Sequence, residues 1–65
     1  MKKYKATISE FRKSGSYLMP PIVHIVGGKD GVAKTELLKG VRDKLAEAIK
    51  VEGFSSINVS ITEEK

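Results

Sequence analysis

Two segments near the ends of the chain, KYKATISEF at residues 3–11 and SINVSIT at residues 56–62, alternate apolar and polar side chains with a period of two. The first puts Tyr4, Ala6 and Ile8 on one side and Lys3, Lys5, Thr7 and Ser9 on the other; the second sets Ile57, Val59 and Ile61 against Asn58, Ser60 and Thr62. Successive side chains of an extended backbone point to opposite faces, so this pattern specifies strands buried on one face only. Each strand therefore needs a cover, and the segment between them has the spacing to supply it. Val32, Leu37, Leu38, Val41, Leu45, Ala48 and Ile49 recur mostly at steps of three and four, which predicts a helix from near Val32 to Val51. Asp30 is the candidate N-cap, and Gly53 is placed to take the left-handed conformation that stops the helix.

A further strand is expected at Ile22–Val26, after RKSGS has turned the chain and after Pro20 and Pro21, which lack N–H donors and suit an edge. The order is then β-β-α-β in a single small domain spanning residues 1–65. This is a two-layer α+β fold with one helix packed on a three-stranded, mainly antiparallel sheet. If the last strand runs antiparallel to the first, Glu63 and Glu64 come beside Lys2, Lys3 and Lys5, which supports the order second, first, third. The second strand is the most apolar and would favour the centre; association of two copies along it would reconcile the two expectations.

A chain of 65 residues buries only about 60% of the surface its unfolded form exposes, so the core is small. With no cysteine and one histidine it has no disulfide framework, no thiolate nucleophile and no ligand set for structural zinc. No metal or cofactor is expected, and association with itself or another protein is the remaining way to complete the core. No apolar run reaches the roughly 18 residues that span a bilayer, and the N-terminus alternates instead of forming a signal-peptide stretch; the expected location is the cytoplasm. The formal charge of +4 is local. Residues 1–13 carry Lys2, Lys3, Lys5, Arg12 and Lys13 against Glu10, which leaves seven basic and seven acidic side chains to cancel in the rest.

The segment IVGGKDGVAKT meets most of a phosphate-loop pattern from Gly28 through Lys34 and Thr35, with Ala33 in place of the second glycine. Over about a dozen residues it resembles the loop of the deviant Walker A ATPases of the ParA type, with Lys29 where their signature lysine stands. That resemblance implies nucleotide phosphates held at a helix start. Such an enzyme also needs a parallel sheet and a magnesium-binding aspartate after a later strand, and only 27 residues with one strand follow Leu38. Asp30 would also repel a phosphate. The expected role of the glycines is a sharp turn between strand and helix. Gly28-Lys29-Asp30-Gly31 is likewise a GxxG, which in KH domains clamps nucleic-acid backbone, and residues 36–61 are loosely similar to the helix and strand that come next there. Here the loop follows the β-branched run IVHIV and not a helix.

His24 lies within that apolar run, and no serine, cysteine or carboxylate is placed beside it by sequence; it reads as an edge-strand residue, and no catalytic residue is assigned. Tyr17, Leu18 and Met19 are contiguous apolar residues beside a Gly-Ser turn and two prolines, and either fold over the core or form an exposed contact patch. The reading with most support is a small non-enzymatic binding module acting through protein–protein association, as a homo-oligomer or an adaptor, with Tyr17, Leu18 and Met19 as the partner-binding residues. The alternative is a nucleic-acid accessory protein using Lys3, Lys5, Arg12, Lys13 and Lys29. The ordinary role of those lysines is to blunt an edge strand and pair with the acidic C-terminus.

Overall fold

The computed structural model describes residues 2–64. In chain order the elements are β1 (Lys3–Ser14), β2 (Tyr17–Leu18), β3 (Ile22–Val26), α1 (Lys34–Ala48) and β4 (Phe54–Glu64). All strand pairs are antiparallel and all run through β1. β4 lies along one side of it, from Lys3 opposite Glu64 to Arg12 opposite Phe54, with a bulge between Phe11 and Arg12. β3 and β2 share the other side. The three expected strands thus stand in the expected order, and the two-residue β2 is an addition.

The apolar β3 takes an edge and not the centre. β1 is 12 residues long and can pair on both sides along most of its length, whereas β3 has five residues and follows two prolines that donate nothing to a ladder.

The helix begins two residues later than its apolar spacing predicts, and Asp30 does not cap it. Val32 is held extended by a two-way bond with β1: Tyr4 N–H donates to Val32 O at 2.8 Å, and Val32 N–H donates to Tyr4 O at 2.9 Å. Ala33 becomes the N-cap, without a side-chain bond. At the other end the helix stops at Ala48, and Gly53 takes φ +88° where the chain turns into β4.

Ala6 and Ile8 of β1 and Leu37 and Val41 of α1 form the buried core, with Tyr4, Val26, Val32, Leu45 and Ile57 packed around it. Register then assigns the faces. Tyr4, Ala6, Ile8 and Glu10 look towards α1, as do Ile22, His24 and Val26 of β3 and Ile57, Val59 and Ile61 of β4. The opposite face is uncovered, which leaves Val23 and Ile25 exposed.

Coverage of the inner face is also incomplete. Gly40 sits against Val26, so the helix leans over β1 and β3. On the other flank of the buried stripe Leu45 packs against the core, while Leu38 and Ile49 stay exposed. Val59 and Ile61 stay 40% and 49% exposed although they lie on the helix side.

Candidate interaction surfaces

At the far end of β1 the chain reverses over Gly15 and Ser16, and Ser14 pairs with Tyr17. Gly15 takes φ +62° while Ser16 has no positive φ, the arrangement of a type II′ turn with glycine first. Met19 N–H donates to Arg12 O at 3.0 Å and extends the pairing as far as the first proline. A two-residue edge strand without a helix over it cannot bury its side chains. Tyr17 and Leu18 are 64% and 55% exposed, and Met19 is exposed beside them. Of the two arrangements open to this segment, folding over the core or standing outside it, the second is found.

The root of the hairpin is fixed by the turn before β4. Lys13 N–H donates to Gly53 O at 2.7 Å, and a Cβ on Gly53 would lie 2.6 Å from Lys13 O. Only glycine combines that φ with that approach. Gly53, Met19, Lys13 and Phe54 line an open depression beside the hairpin.

The basic residues do not gather into one patch. Lys5 Nζ is 2.9 Å from Glu64 Oε1 and Lys2 Nζ is 3.8 Å from Glu63 Oε1, as the antiparallel pairing of β1 with β4 dictates. Arg12 is turned to the helix side, where it donates to Glu10. Lys3, Lys13 and Lys29 have no ion-pair partner among the described residues. Lys3 and Lys13 stand at opposite ends of β1, about 33 Å apart at strand rise, and Lys29 belongs to the loop at the Lys3 end.

A cluster not anticipated from the sequence lies under the last turns of α1. Glu10 is 2% exposed. Arg12 Nε donates to its Oε2, and His24 Nε2 stands 3.3 Å from its Oε1. The Arg12 hydrogen bond, with help from His24, holds the Glu10 carboxyl below its usual 4.5 against the opposing effect of burial. Lys44, Glu47, Ala48 and Val51 close a small polar recess over these three. Glu10 follows Tyr4, Ala6 and Ile8 in the inward period-two set, so the alternation pointed to its burial. Its neighbours depend on the β1–β3 register. Arg12 neutralises Glu10 and His24 stands within reach of its other oxygen, and the cluster fits an internal ion pair.

In the glycine loop, Gly27, Gly28 and Gly31 take φ of +105°, +63° and +83°. Cβ atoms on Gly27 and Gly31 would lie 2.8 Å and 3.1 Å from Tyr4 O. Turning and close approach to β1 account for both glycines. The strand before the loop is an antiparallel edge, unlike the parallel strand that precedes a phosphate loop.

No helix among the described residues is long and apolar enough to cross a membrane. Compared with protein-family models, with curated proteins and with solved structures, the chain matches none of them.

Proposed function

We propose that the protein is a non-enzymatic binding module of the cytoplasm that works by protein–protein association, with the hairpin residues Tyr17, Leu18 and Met19 as its contact surface. The observation that carries this reading is the exposure of three consecutive large apolar side chains on a hairpin arm whose root is tied by the Lys13–Gly53 hydrogen bond. Tyr17 and Met19 share one face of the hairpin and Leu18 lies on the other, so apolar side chains flank this corner of the sheet on both sides, and exposed apolar surface supports a protein contact. The basic side chains support a nucleic-acid role less well, being divided between two ends and two faces of the sheet.

The reading is tested by replacing Tyr17 with the photo-crosslinking residue p-benzoylphenylalanine and illuminating cells that make the protein. A discrete adduct is expected at position 17, no such adduct with the same residue at exposed Lys39, and loss of the adduct when Leu18 and Met19 are both changed to serine. An adduct that persists in the Leu18→Ser, Met19→Ser chain, or none at position 17, overturns the assignment.

A further inference from the structure

Among the described residues β2, β3 and β4 each have an open edge; β2 is only two residues long, and β3 and β4 differ in how they are protected. β3 is five residues long, is preceded by Pro20 and Pro21, and would set His24 against His24 if paired with itself about its centre. β4 presents 11 residues, of which Phe54 to Thr62 include no charge and no proline. Exposed edges are ordinarily blunted by charge, proline or a short run. β4 has none of these along nine residues, and its inner face carries the half-exposed Val59 and Ile61.

We infer that β4 is the pairing edge for a second copy of this chain, which joins antiparallel about a two-fold axis at Val59. The register is set by side-chain complementarity. Val59 then faces Val59, Ile57 faces the partner's Ile61, and Asn58 faces the partner's Ser60, so apolar meets apolar on one face and polar meets polar on the other. Glu63 comes opposite the partner's Ser55 and Glu64 opposite the partner's Phe54, and no acid faces an acid. A one-residue shift of the axis to Ser60 sets Glu63 against the partner's Ile57. Parallel pairing stacks the acids of the two copies.

The contact is isologous and closes at two copies, and the short proline-flanked β3 edges terminate the resulting sheet. The two helices, each leaning over β1 and β3, stand roughly four strand spacings or about 19 Å apart and do not meet. Strand pairing and the cross-strand apolar row therefore hold the dimer. This inference rests on the association reading but uses a separate surface. It leaves two Tyr17–Met19 hairpins at opposite corners, so a partner with two sites would gain by avidity.

The test uses the full chain and its lack of cysteine. Sedimentation equilibrium is expected to give a concentration-dependent dimer, with mass halved in Val59→Lys, whose circular dichroism stays that of the wild type because the side chain is exposed. Under oxidising conditions Val59→Cys is expected to cross-link to a disulfide dimer, since residues facing each other at the axis are within disulfide reach. Ser55→Cys, far from its own counterpart in this register, is expected to remain uncross-linked. A wild-type monomer at every concentration, a dimer that survives Val59→Lys, or equal cross-linking of the two cysteine variants would overturn the β4 interface. The hairpin reading fails by a different result, an adduct at position 17 indifferent to Leu18 and Met19.

Discussion

A methyl group placed on Gly40, in the middle of α1, would lie 2.8 Å from Cγ1 of Val26 on β3. The helix comes this close because position 40 has no side chain, and leaning towards β3 draws it away from β4. The helix accordingly covers β1 and β3 and leaves β4 largely open. A consequence is that Val59 and Ile61 remain open on a face that their alternation marks for burial.

Gly40→Ala therefore departs from the usual rule. In an exposed helix interior alanine is favoured over glycine by about 1 kcal/mol. Here the β-branched Val26 cannot move aside freely, and overpacking is expected to leave the variant about 1–3 kcal/mol less stable. Urea unfolding checks this, and Val26→Ala in the same chain should recover most of the loss.

Gly53→Ala and Gly15→Ala separate conformation from contact. Both positions have positive φ, but a Cβ on Gly15 meets nothing within 4 Å, whereas on Gly53 it lies 2.6 Å from Lys13 O. The Gly15 change should cost about 1–2 kcal/mol, the penalty of a left-handed residue. Gly53→Ala is expected to cost more and to loosen the hairpin root, seen as faster exchange of the Lys13 amide hydrogen.

The Glu10 cluster makes stability depend on acid. Because the folded carboxyl is held below 4.5 by Arg12 and His24, the unfolded chain takes up its proton first as pH falls. The contribution is complete above that value and is lost as pH drops through the lower folded one. Glu10→Gln should be less stable than wild type at neutral pH, and the gap in urea midpoint should narrow below pH 4.5. A gap that stays constant with pH would show that Glu10 is not ionised in the folded protein.

Oligonucleotide binding offers a direct contrast with the association reading. Lys5 and Arg12 are engaged by Glu64 and Glu10, and Lys3 and Lys13 lie at opposite ends of β1. Fluorescence anisotropy of labelled single- and double-stranded oligonucleotides at about 50 and about 200 mM salt is expected to show no salt-sensitive complex. Strong binding that collapses with salt and is lost in Lys3→Gln, Lys5→Gln would move the function to the basic strand.

Much of this architecture is legible in the sequence. The alternation of Tyr4, Ala6 and Ile8 marks an inward row, which the structure extends to Glu10, and the acids at Glu63 and Glu64 set β4 against the lysines of β1. The exposure of Tyr17, Leu18 and Met19 was one of two outcomes compatible with the prolines that follow them. The start of α1 is not legible, because helical spacing counts Val32 as a helix residue while its N–H and C=O are drawn to Tyr4 in β1. That competition lies between residues 28 positions apart and leaves no mark on either local sequence.

What the chain determines by itself is what a local period can encode: which segments are strands, which is helix, which side of each is apolar, and where glycine must turn the backbone. Tertiary structure alone decided how those faces meet. The seat of α1 against Val26, the burial of Glu10 between Arg12 and His24, and the uncovered edge and face of β4 depend on distances between segments remote in sequence. A side chain's periodicity states which way it points, but the packing of a single helix on a wider sheet determines whether anything is there to receive it.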